Sequence, residues 1–223
     1  MNDLIFFAIF PYISLFIAII FSLYRYFSDR FSFSSLSSQF LESKKLFYGS
    51  IGWHYGIIII ILFFHLLALL FPDLLRNFLK GTLNLYFFEI TGLGIAIFTF
   101  FSLFILFLRR ILDSRIISVS SFFDYLLIFL LLIQVLTGIY IAIFKRWGAL
   151  WSLDTVVPYL LSLLKFKPDI SYIKNFPFLV KLHFFNAFLL IFIFPFTRLI
   201  HIFTFPVRFV IRPYQLVVWN RRR

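Results

Sequence analysis

The chain has 223 residues, of which 62% are hydrophobic and 13% charged, and its mean hydropathy is +1.01. A soluble globular domain is only about half apolar and about a quarter charged, so this composition excludes that class and predicts a membrane protein. Lys and Arg exceed Asp and Glu by 21 to 9; beside such an apolar excess, we expect these cations to set topology and contact lipid, and we expect no binding to nucleic acid.

Two residue types that commonly bind metals are nearly missing. Cys is absent, and the only Met is Met1. Disulfides, cysteine-bound zinc, iron–sulfur clusters, haem attached through a C-x-x-C-H motif and methionine-ligated haem or copper are therefore excluded within this chain. A metal bound here would take imidazole or oxygen ligands.

Five apolar segments are long enough to cross a bilayer. A spanning helix needs about 20 apolar residues in succession, because the hydrocarbon core is about 30 Å thick and an α-helix rises about 1.5 Å per residue. The first segment lacks the basic start and the cleavage site of a removable signal peptide, so we expect it to remain as a span. The predicted spans are residues 4–24, 51–71, 88–108, 125–144 and 182–205.

The connections between these spans predict the topology. Residues 27–47 are rich in Ser and charged residues and are typical of a cytoplasmic loop, whereas residues 147–181 form a long external loop with a short helix over 156–164. Lys and Arg number 12 on the side of the C-terminus and 8 on the other, which places the N-terminus outside and the C-terminus in the cytoplasm. Residues 1–223 are thus predicted to form one all-α transmembrane domain, ending in a basic cytoplasmic tail over 206–223.

All four histidines lie in two of the five spans, His54 and His65 in the second and His183 and His201 in the fifth. Ionisable residues are costly in a bilayer and usually face the bundle interior at a functional site. In a regular α-helix, the 11-residue interval in the second span leaves its histidines within about 20° of one face and about 16 Å apart. The 18-residue interval in the fifth span is five whole turns, about 27 Å.

The order of the spans predicts how these histidines pair. Spans two and five run antiparallel, so His54 and His201 share the cytoplasmic side, and His65 and His183 share the outer side. Two bis-imidazole sites stacked across the bilayer follow, His54 with His201 and His65 with His183. The unequal axial separations require tilted helices or tilted ligand planes.

Haem between two helices is the favoured interpretation of these pairs. Each helix would supply one neutral imidazole, bound through one ring nitrogen and hydrogen-bonded through the other. Zinc needs four ligands close together, and the histidines are separated into two pairs. Two alternatives are ordinary packed histidines in a membrane anchor and a histidine proton relay in a transporter; the relay predicts acidic residues within the spans, whereas Glu89 lies only at the edge of the third.

Several motifs are distributed along the chain. They are Phe10-Pro11-Tyr12-Ile13, Ser37-Ser38-Gln39, His54-x-Gly56, Arg109-Arg110 with Ser114-Arg115 and Asp124, the run Leu182-His183 to Phe194-Pro195-Phe196-Thr197-Arg198-Leu199-Ile200-His201-Ile202, then Pro206-Val207 and Tyr214-Gln215-Leu216-Val217. Together they resemble the gamma subunit, or cytochrome b membrane subunit, of respiratory nitrate reductase. The resemblance covers nearly the whole chain and is weakest over residues 71–93 and in the long loop.

This resemblance implies a five-helix subunit of the bacterial-type inner membrane with two b haems, held by His54, His65, His183 and His201 in the pairs given above. It implies quinol oxidation near the outer face, with menaquinol or ubiquinol as substrate, and electron transfer through a cytoplasmic iron–sulfur beta subunit to a molybdenum-containing alpha subunit that reduces nitrate. The chain is then an enzyme only as part of this quinol:nitrate oxidoreductase complex of nitrate respiration and denitrification. A related membrane cytochrome b of a sulfur-compound or heterodisulfide reductase remains an alternative.

The second span departs from the family pattern in two ways. The family interval between the two histidines of this span is one residue shorter, which predicts a π-bulge or an altered tilt here. Phe64 stands where a small residue is expected before His65, and it leaves less room for a porphyrin. Gly56, two residues after His54, fits the family pattern and is assigned to the cofactor-binding residues.

Other candidates have two interpretations each. Arg198, one turn before His201, would pair with a haem propionate or extend to the membrane interface. Lys80 and Glu89 are quinol-site candidates. Lys80 is the lysine closest in sequence to the position where the family has a functional lysine, near the outer start of the third span, or it is an ordinary loop residue. Glu89 would accept a quinol proton or lie at the interface.

Some residues are expected to serve the packing of helices and partners. Asp124 and Gln134 would support a haem or link helices, and the small residues Gly92, Gly94 and Gly138 would permit close approach of a helix or porphyrin. The basic residues 208–223 would contact anionic lipid or, as we favour, dock a cytoplasmic partner.

Overall fold

A computed structural model describes residues 3–28, 53, 55–57 and 59–202, with residues 61–62 and 201–202 described by their backbone alone. All regular structure within these residues is helical. The α-helices with defined bounds are α1 Phe10–Ser28, α2 Leu67–Leu70, α3 Pro72–Leu79, α4 Thr82–Leu112, α5 Ser114–Ile117, α6 Phe122–Phe144, α7 Gly148–Leu164, α8 Ser171–Lys174 and α9 Phe178–Ile193. Two π-helical segments, Ile5–Ile9 and Ile60–Leu66, and two 3-10 segments, Phe194–Phe196 and Arg198–Ile202, complete the set.

Four stretches of the described chain are long and apolar enough to cross a membrane. They correspond to the first, third, fourth and fifth predicted spans, and they are Ile5–Ser28, Thr82–Leu112, Phe122–Phe144 and Phe178–Phe196. The second predicted span, 51–71, lies partly outside the described residues, and its described residues are helical up to Leu70. These lengths and compositions are those of a multi-pass membrane protein.

The four long helices pack in the order α4, α6, α9, α1. Helices α4 and α6 run antiparallel because the connection between them is short. The core cluster on α4, α6 and α9 is almost wholly aliphatic, and its buried members are Leu103, Leu127, Leu130, Leu131, Val135 and Ile193. This packing places α6 between α4 and α9, so polar side chains of α6 are within reach of both.

A layer of short helices covers one end of this bundle. Helices α3 and α7 pack over the start of α4 through a second apolar cluster, Ala68, Leu75, Leu79, Leu85, Leu153 and Val157. The hydroxyl of Tyr159 donates to the carbonyl of Phe7 at 2.7 Å, and Lys181 forms an ion pair with Asp3 at 2.6 Å. The starts of the first, third and fifth spans therefore meet at the same end of the bundle.

Two predicted helices were shorter than the observed ones. The third span, predicted over 88–108, is the 31-residue helix α4, and the short helix predicted over 156–164 is part of the 17-residue helix α7. Helix α7 begins after Trp147, whose backbone is left-handed with φ 64°, and its Ala149 amide donates to the Glu89 carboxylate at 2.8 Å. Because that capping carboxylate lies on another helix, the local sequence could not indicate where α7 begins.

The prediction of one continuous helix over 182–205 was wrong. Helix α9 ends at Ile193, and the chain continues as two 3-10 segments separated by Thr197, which is extended with φ −105° and ψ 173°. Pro195 causes the break, because proline has no amide hydrogen and its ring clashes with the preceding helical turn. The interval from His183 to His201 is therefore not five regular turns, and the shared face calculated for this pair does not apply.

The carbonyl groups at this break are held by a side chain from another span. Nη1 of Arg25, in the last turn of α1, donates to the carbonyl oxygen of Pro195 at 2.6 Å and to that of Thr197 at 3.2 Å. Carbonyls released from a helix need a new donor in the absence of water. The guanidinium of Arg25 supplies it and ties the 3-10 segments to α1.

Candidate functional site

The structure brings together the imidazoles of His65 and His183, the pair predicted for the outer side. Their ring centroids are 6.5 Å apart and their planes are inclined by 25°. Two imidazoles that ligate one metal ion from opposite sides, through nitrogens about 2 Å from it, have ring centres about 6 Å apart. The observed separation fits a single metal ion shared by the two rings.

The hydrogen bonds of His183 assign its tautomer. The hydroxyl of Thr137 on α6 donates to the carbonyl of Ile133 at 2.7 Å, and its oxygen lies 2.9 Å from Nδ1 of His183. Because that hydroxyl hydrogen is already used, Thr137 accepts a hydrogen bond from Nδ1. Nε2 of His183 is then unprotonated, the form in which an imidazole ligates a metal.

An amide pair fixes the other side of the His183 ring. Nδ2 of Asn186, which is 2% exposed, donates to Oε1 of Gln134 at 2.7 Å and to the carbonyl of Leu130 at 2.9 Å. Gln134 is thereby oriented with its amino group toward His183, and its Nε2 donates to the unprotonated imidazole Nε2 at 3.2 Å, a hydrogen bond that a metal ion bound at this nitrogen would replace. Gln134 links α6 to α9, which is one of the two roles predicted for it.

Sequence reasoning missed Thr137 and Asn186. Each had a signal in the spacing: Asn186 follows His183 by three residues, and Thr137 follows Gln134 by three residues, and this spacing puts both members of a pair on one helix face. A polar residue one turn from an intramembrane histidine is thus a candidate partner for it. Which helix supplies each partner is decided by the packing of α6 against α9.

His65 lies in the π-helical segment Ile60–Leu66, which confirms the predicted π-bulge. Its Nδ1 is 2.9 Å from the carbonyl oxygen of Ile60, five residues earlier. A carbonyl only accepts, so Nδ1 carries the hydrogen and Nε2 is unprotonated, as in His183. Both rings of the pair therefore have Nε2 in the ligating form, with Nδ1 hydrogen-bonded behind it.

The ring of Phe64, in the π-helical segment, packs against α4. Its ring centroid is 4.5 Å from that of Phe88, and the ring lies over Gly92, where an added Cβ would be 2.6 Å from Cε1 of Phe64. The bulk that was expected to reduce room for a porphyrin packs against α4, while His65 faces His183. On the other side, Gly138 allows close approach of α6 to the imidazole, since a Cβ there would lie 3.4 Å from Cε1 of His183.

The second predicted pair is described only in part. His54 lies outside the described residues, and His201 is described by its backbone alone, in the second 3-10 segment. Gly56 is buried, and an added Cβ there would collide with Oγ1 of Thr99 on α4. Glycine is thus required at residue 56 by the close approach of α4.

Arg198 forms an ion pair that the sequence did not indicate. Its Nε donates to Oδ1 of Asp124 at 2.9 Å, and its Nη2 donates to the carbonyl of Val119 at 2.8 Å. Asp124 is 4% exposed, and its other oxygen is 3.3 Å from Nη1 of Arg110. Asp124 thus links α4, α6 and the 3-10 segment that contains His201, one of its two predicted roles.

The two quinol-site candidates have different surroundings. Lys80 is exposed in the turn before α4, and its Nζ donates to Oδ1 of Asn77 at 2.8 Å. Glu89 is half-buried and accepts the amide of Ala149 at the start of α7. Both lie at the end of the bundle that α3 and α7 cover.

The donor set of the His65–His183 pair is suited to haem. Among the described residues, no three side chains of His, Asp or Glu come together as a metal site. Zinc in a structural site takes four protein ligands, whereas haem iron takes its equatorial ligands from the porphyrin and needs only axial ligands from the protein. Two facing imidazoles with unprotonated Nε2 fit the second case.

Comparisons with known proteins agree along the whole chain. The family model described as nitrate reductase gamma subunit matches residues 3–220. The nitrate reductase gamma chain of Bacillus subtilis (strain 168) is 32% identical over 225 residues, which is 100% of each chain. The respiratory nitrate reductase 1 gamma chain of Escherichia coli (strain K12) is 28% identical over 96% of each chain. The nitrate reductase-like protein NarX of Mycobacterium tuberculosis is 25% identical over 98% of this chain and 35% of its own length.

Proposed function

Because the chain belongs to the nitrate reductase gamma subunit family, we propose that it is the di-haem cytochrome b subunit of a quinol:nitrate oxidoreductase complex. In this role it oxidises menaquinol or ubiquinol near the outer membrane face. It passes the electrons across the membrane to a cytoplasmic iron–sulfur beta subunit, and from there they reach a molybdenum-containing alpha subunit that reduces nitrate. The complex lies in a bacterial-type inner membrane, with the N-terminus of this chain outside and its C-terminus in the cytoplasm.

The observation that carries this proposal is the facing pair of imidazoles. His65 and His183 come from different spans, their centroids are 6.5 Å apart, and each has an acceptor at Nδ1. Packed histidines in a simple anchor have no reason to face each other with matched tautomers. The pair His65 and His183 would hold the outer haem b, and the pair His54 and His201 would hold the inner one.

Bound haem iron supplies reversible one-electron chemistry. The residues of this chain set its conditions. Thr137 and the carbonyl of Ile60 hold the two imidazoles in fixed rotations and make them stronger ligands through hydrogen bonds at Nδ1.

Quinol oxidation releases two protons, and a group near the outer site must receive them. Glu89 is half-buried on α4, and its carboxylate accepts the amide of Ala149. A carboxylate can take up a proton, whereas a protonated lysine has no acceptor atom, so Glu89 is the better proton acceptor of the two candidates. Lys80 is exposed, and its Nζ donates to Oδ1 of Asn77. We place the quinol at the covered end of the bundle, near His65.

The experiment that tests this proposal is a reduced-minus-oxidised visible spectrum with a pyridine haemochrome count. The unmodified chain should contain two b haems. H65A and H183A should each remove the same haem, and the double variant should lose no more than either single variant, because both histidines hold one group. H201A should remove the other haem. Retention of both haems in H65A and H183A would show that these residues are not ligands.

A further inference from the structure

The π-helical segment Ile60–Leu66 is anchored to α4 by the ring of Phe64. The ring centroid lies 4.5 Å from that of Phe88, and the ring also covers Gly92, where an added Cβ would be 2.6 Å from Cε1 and 3.0 Å from Cδ1. Phe88 and Gly92 are four residues apart and share one face of α4. The ring of Phe64 thus lies in a shallow depression of α4, with the ring of Phe88 at its side and the backbone of Gly92 beneath it.

The direction of Phe64 constrains that of His65. Adjacent residues on a helix differ by about 100° around its axis, so a segment that directs Phe64 at α4 directs His65 to a neighbouring face. In this protein that face is opposite His183, at 6.5 Å between centroids. A rotation of the segment about its own axis would move both side chains together.

A π-helical turn needs such an anchor because it is less stable than an α-helix. π-helices are rare and mostly occur as single bulges at functional sites. The extra residue can be absorbed before or after His65 within the segment, and these two arrangements give His65 different rotations. The depression at Gly92 selects one of these arrangements, since only a residue without a Cβ leaves room for the ring of Phe64.

We propose that Gly92 is a positioning residue for His65, acting through the ring of Phe64. This inference rests on the proposed function, because it assigns the support of the outer histidine pair. A methyl group at residue 92 would displace the ring, and the stiff aromatic side chain, confined by Phe88 on its other side, would carry the segment with it. The imidazole of His65 would then lose its alignment with His183.

The test is the variant G92A with G94A as its matched control. An added Cβ at Gly94 meets no atom within 4 Å, and both changes give the same gain in helix propensity within α4. We expect G92A to weaken haem retention at the outer pair about tenfold or more, the effect typical of lost outer support, and to shift its reduction potential and low-spin EPR signal. G94A should match the unmodified chain in all three measurements.

A second variant separates the proposed route from general damage to the helix. F64A removes the ring, so G92A should add nothing when placed in the F64A background. If G92A lowers outer haem retention equally with and without the ring, or if G92A behaves like G94A, the positioning role is wrong. The content of the inner haem, which only H201A should remove, should be the same in G92A, G94A, F64A and the double variant. It reports that the bundle is intact.

Failure of this inference is distinguishable from failure of the proposed function. If the unmodified chain has no haem that H65A and H183A remove, the outer histidine pair is not a haem site and the proposed function itself is wrong. If that haem is present and G92A leaves its retention, potential and EPR signal unchanged, only the positioning role of Gly92 falls.

Discussion

At His183, a threonine hydroxyl decides which ring nitrogen is available. Thr137 is 5% exposed, and its oxygen accepts from Nδ1 at 2.9 Å while its hydrogen is held by the carbonyl of Ile133. Without that acceptor, a buried N–H would be left unpaired, which costs about 1–3 kcal/mol. One hydroxyl therefore fixes the tautomer and the rotation of the ring.

We expect T137V to weaken haem binding at the outer pair about tenfold or more, as loss of an outer hydrogen bond to a ligand typically does. Valine has nearly the same shape as threonine but no acceptor for Nδ1. The reduction potential of the outer haem should shift as well, because the hydrogen bond raises the basicity of the imidazole. Redox titration of the b band measures it, and T137S, which keeps a hydroxyl, should restore most of the unmodified value.

Asp124 is the most connected buried charge among the described residues. It accepts from Arg198 at 2.9 Å, lies 3.3 Å from Arg110, and its carboxylate also receives the amide of Ser121 at the start of α6. A carboxylate that is 4% exposed is stable only when paired in this way. Its removal would leave two arginines without their shared partner.

We expect D124N to lower the free energy of unfolding by about 3 kcal/mol or more, the usual cost of breaking a buried ion pair. Thermal unfolding of the purified chain in detergent measures this as a lowered Tm. D154N is the matched control, because Asp154 pairs with Arg76 at 2.8 Å but is 64% exposed, and exposed pairs contribute little. Equal Tm values for D124N and D154N would contradict the structural role of the cluster.

Among the elements, the π-helical segment Ile60–Leu66 has the most direct link to the site. An insertion of one residue into an α-helix is accommodated as a π-bulge, which leaves the register on either side unchanged. The longer histidine interval in this chain therefore need not rotate His65 away from His183. The structure shows that it does not, since the two rings face each other.

Deletion of Phe63 should consequently be tolerated. Phe63 is 57% exposed and lies within the segment, so its removal converts the bulge to a regular α-helix and leaves His65 in register. We expect both haems to remain in the pyridine haemochrome count. The control is deletion of Phe98, which is 58% exposed on the regular helix α4; it turns the rest of α4 by about 100° and should reduce haem content. Loss of the outer haem on deletion of Phe63 would contradict the register argument.

At the scale of the whole molecule, helix ends are joined by polar contacts and helix centres by apolar packing. Lys181 and Asp3 pair at one end, and Arg110, Asp124 and Arg198 cluster at the other. Charges are tolerated at helix ends because the interface and partner groups solvate them. The excess of cations, 21 Lys and Arg against 9 acidic residues, makes the chain suited to acidic partners.

Removal of residues 206–223 should separate haem binding from assembly. This basic tail lies outside the described residues, and its docking to the iron–sulfur beta subunit is part of the proposed function. We expect the truncated chain to keep both haems and to reach the membrane, but to lose co-purification with the beta and alpha subunits and, with it, quinol-dependent nitrate reduction. Co-purification that persists without the tail would place the docking surface elsewhere.

The sequence by itself determined the membrane class, four of the spans now seen, and the residues that form the outer pair. Hydropathy and length report the membrane class and the spans because a bilayer admits only helices that satisfy their own backbone hydrogen bonds over about 20 apolar residues. The extra residue before His65 also predicted the π-helical segment, since an insertion must be absorbed within the helix that contains it.

Only the tertiary structure decided which side chains meet. The contacts of His183 with Thr137 and Gln134, of Arg198 with Asp124, and of Glu89 with the start of α7 join residues 46 to 74 positions apart. Periodicity along one helix shows which face is buried but not which helix lies against it. The break at Pro195 also depended on tertiary structure. Proline weakens a helix locally, but the donor that stabilises the opened carbonyls, Arg25, comes from another span.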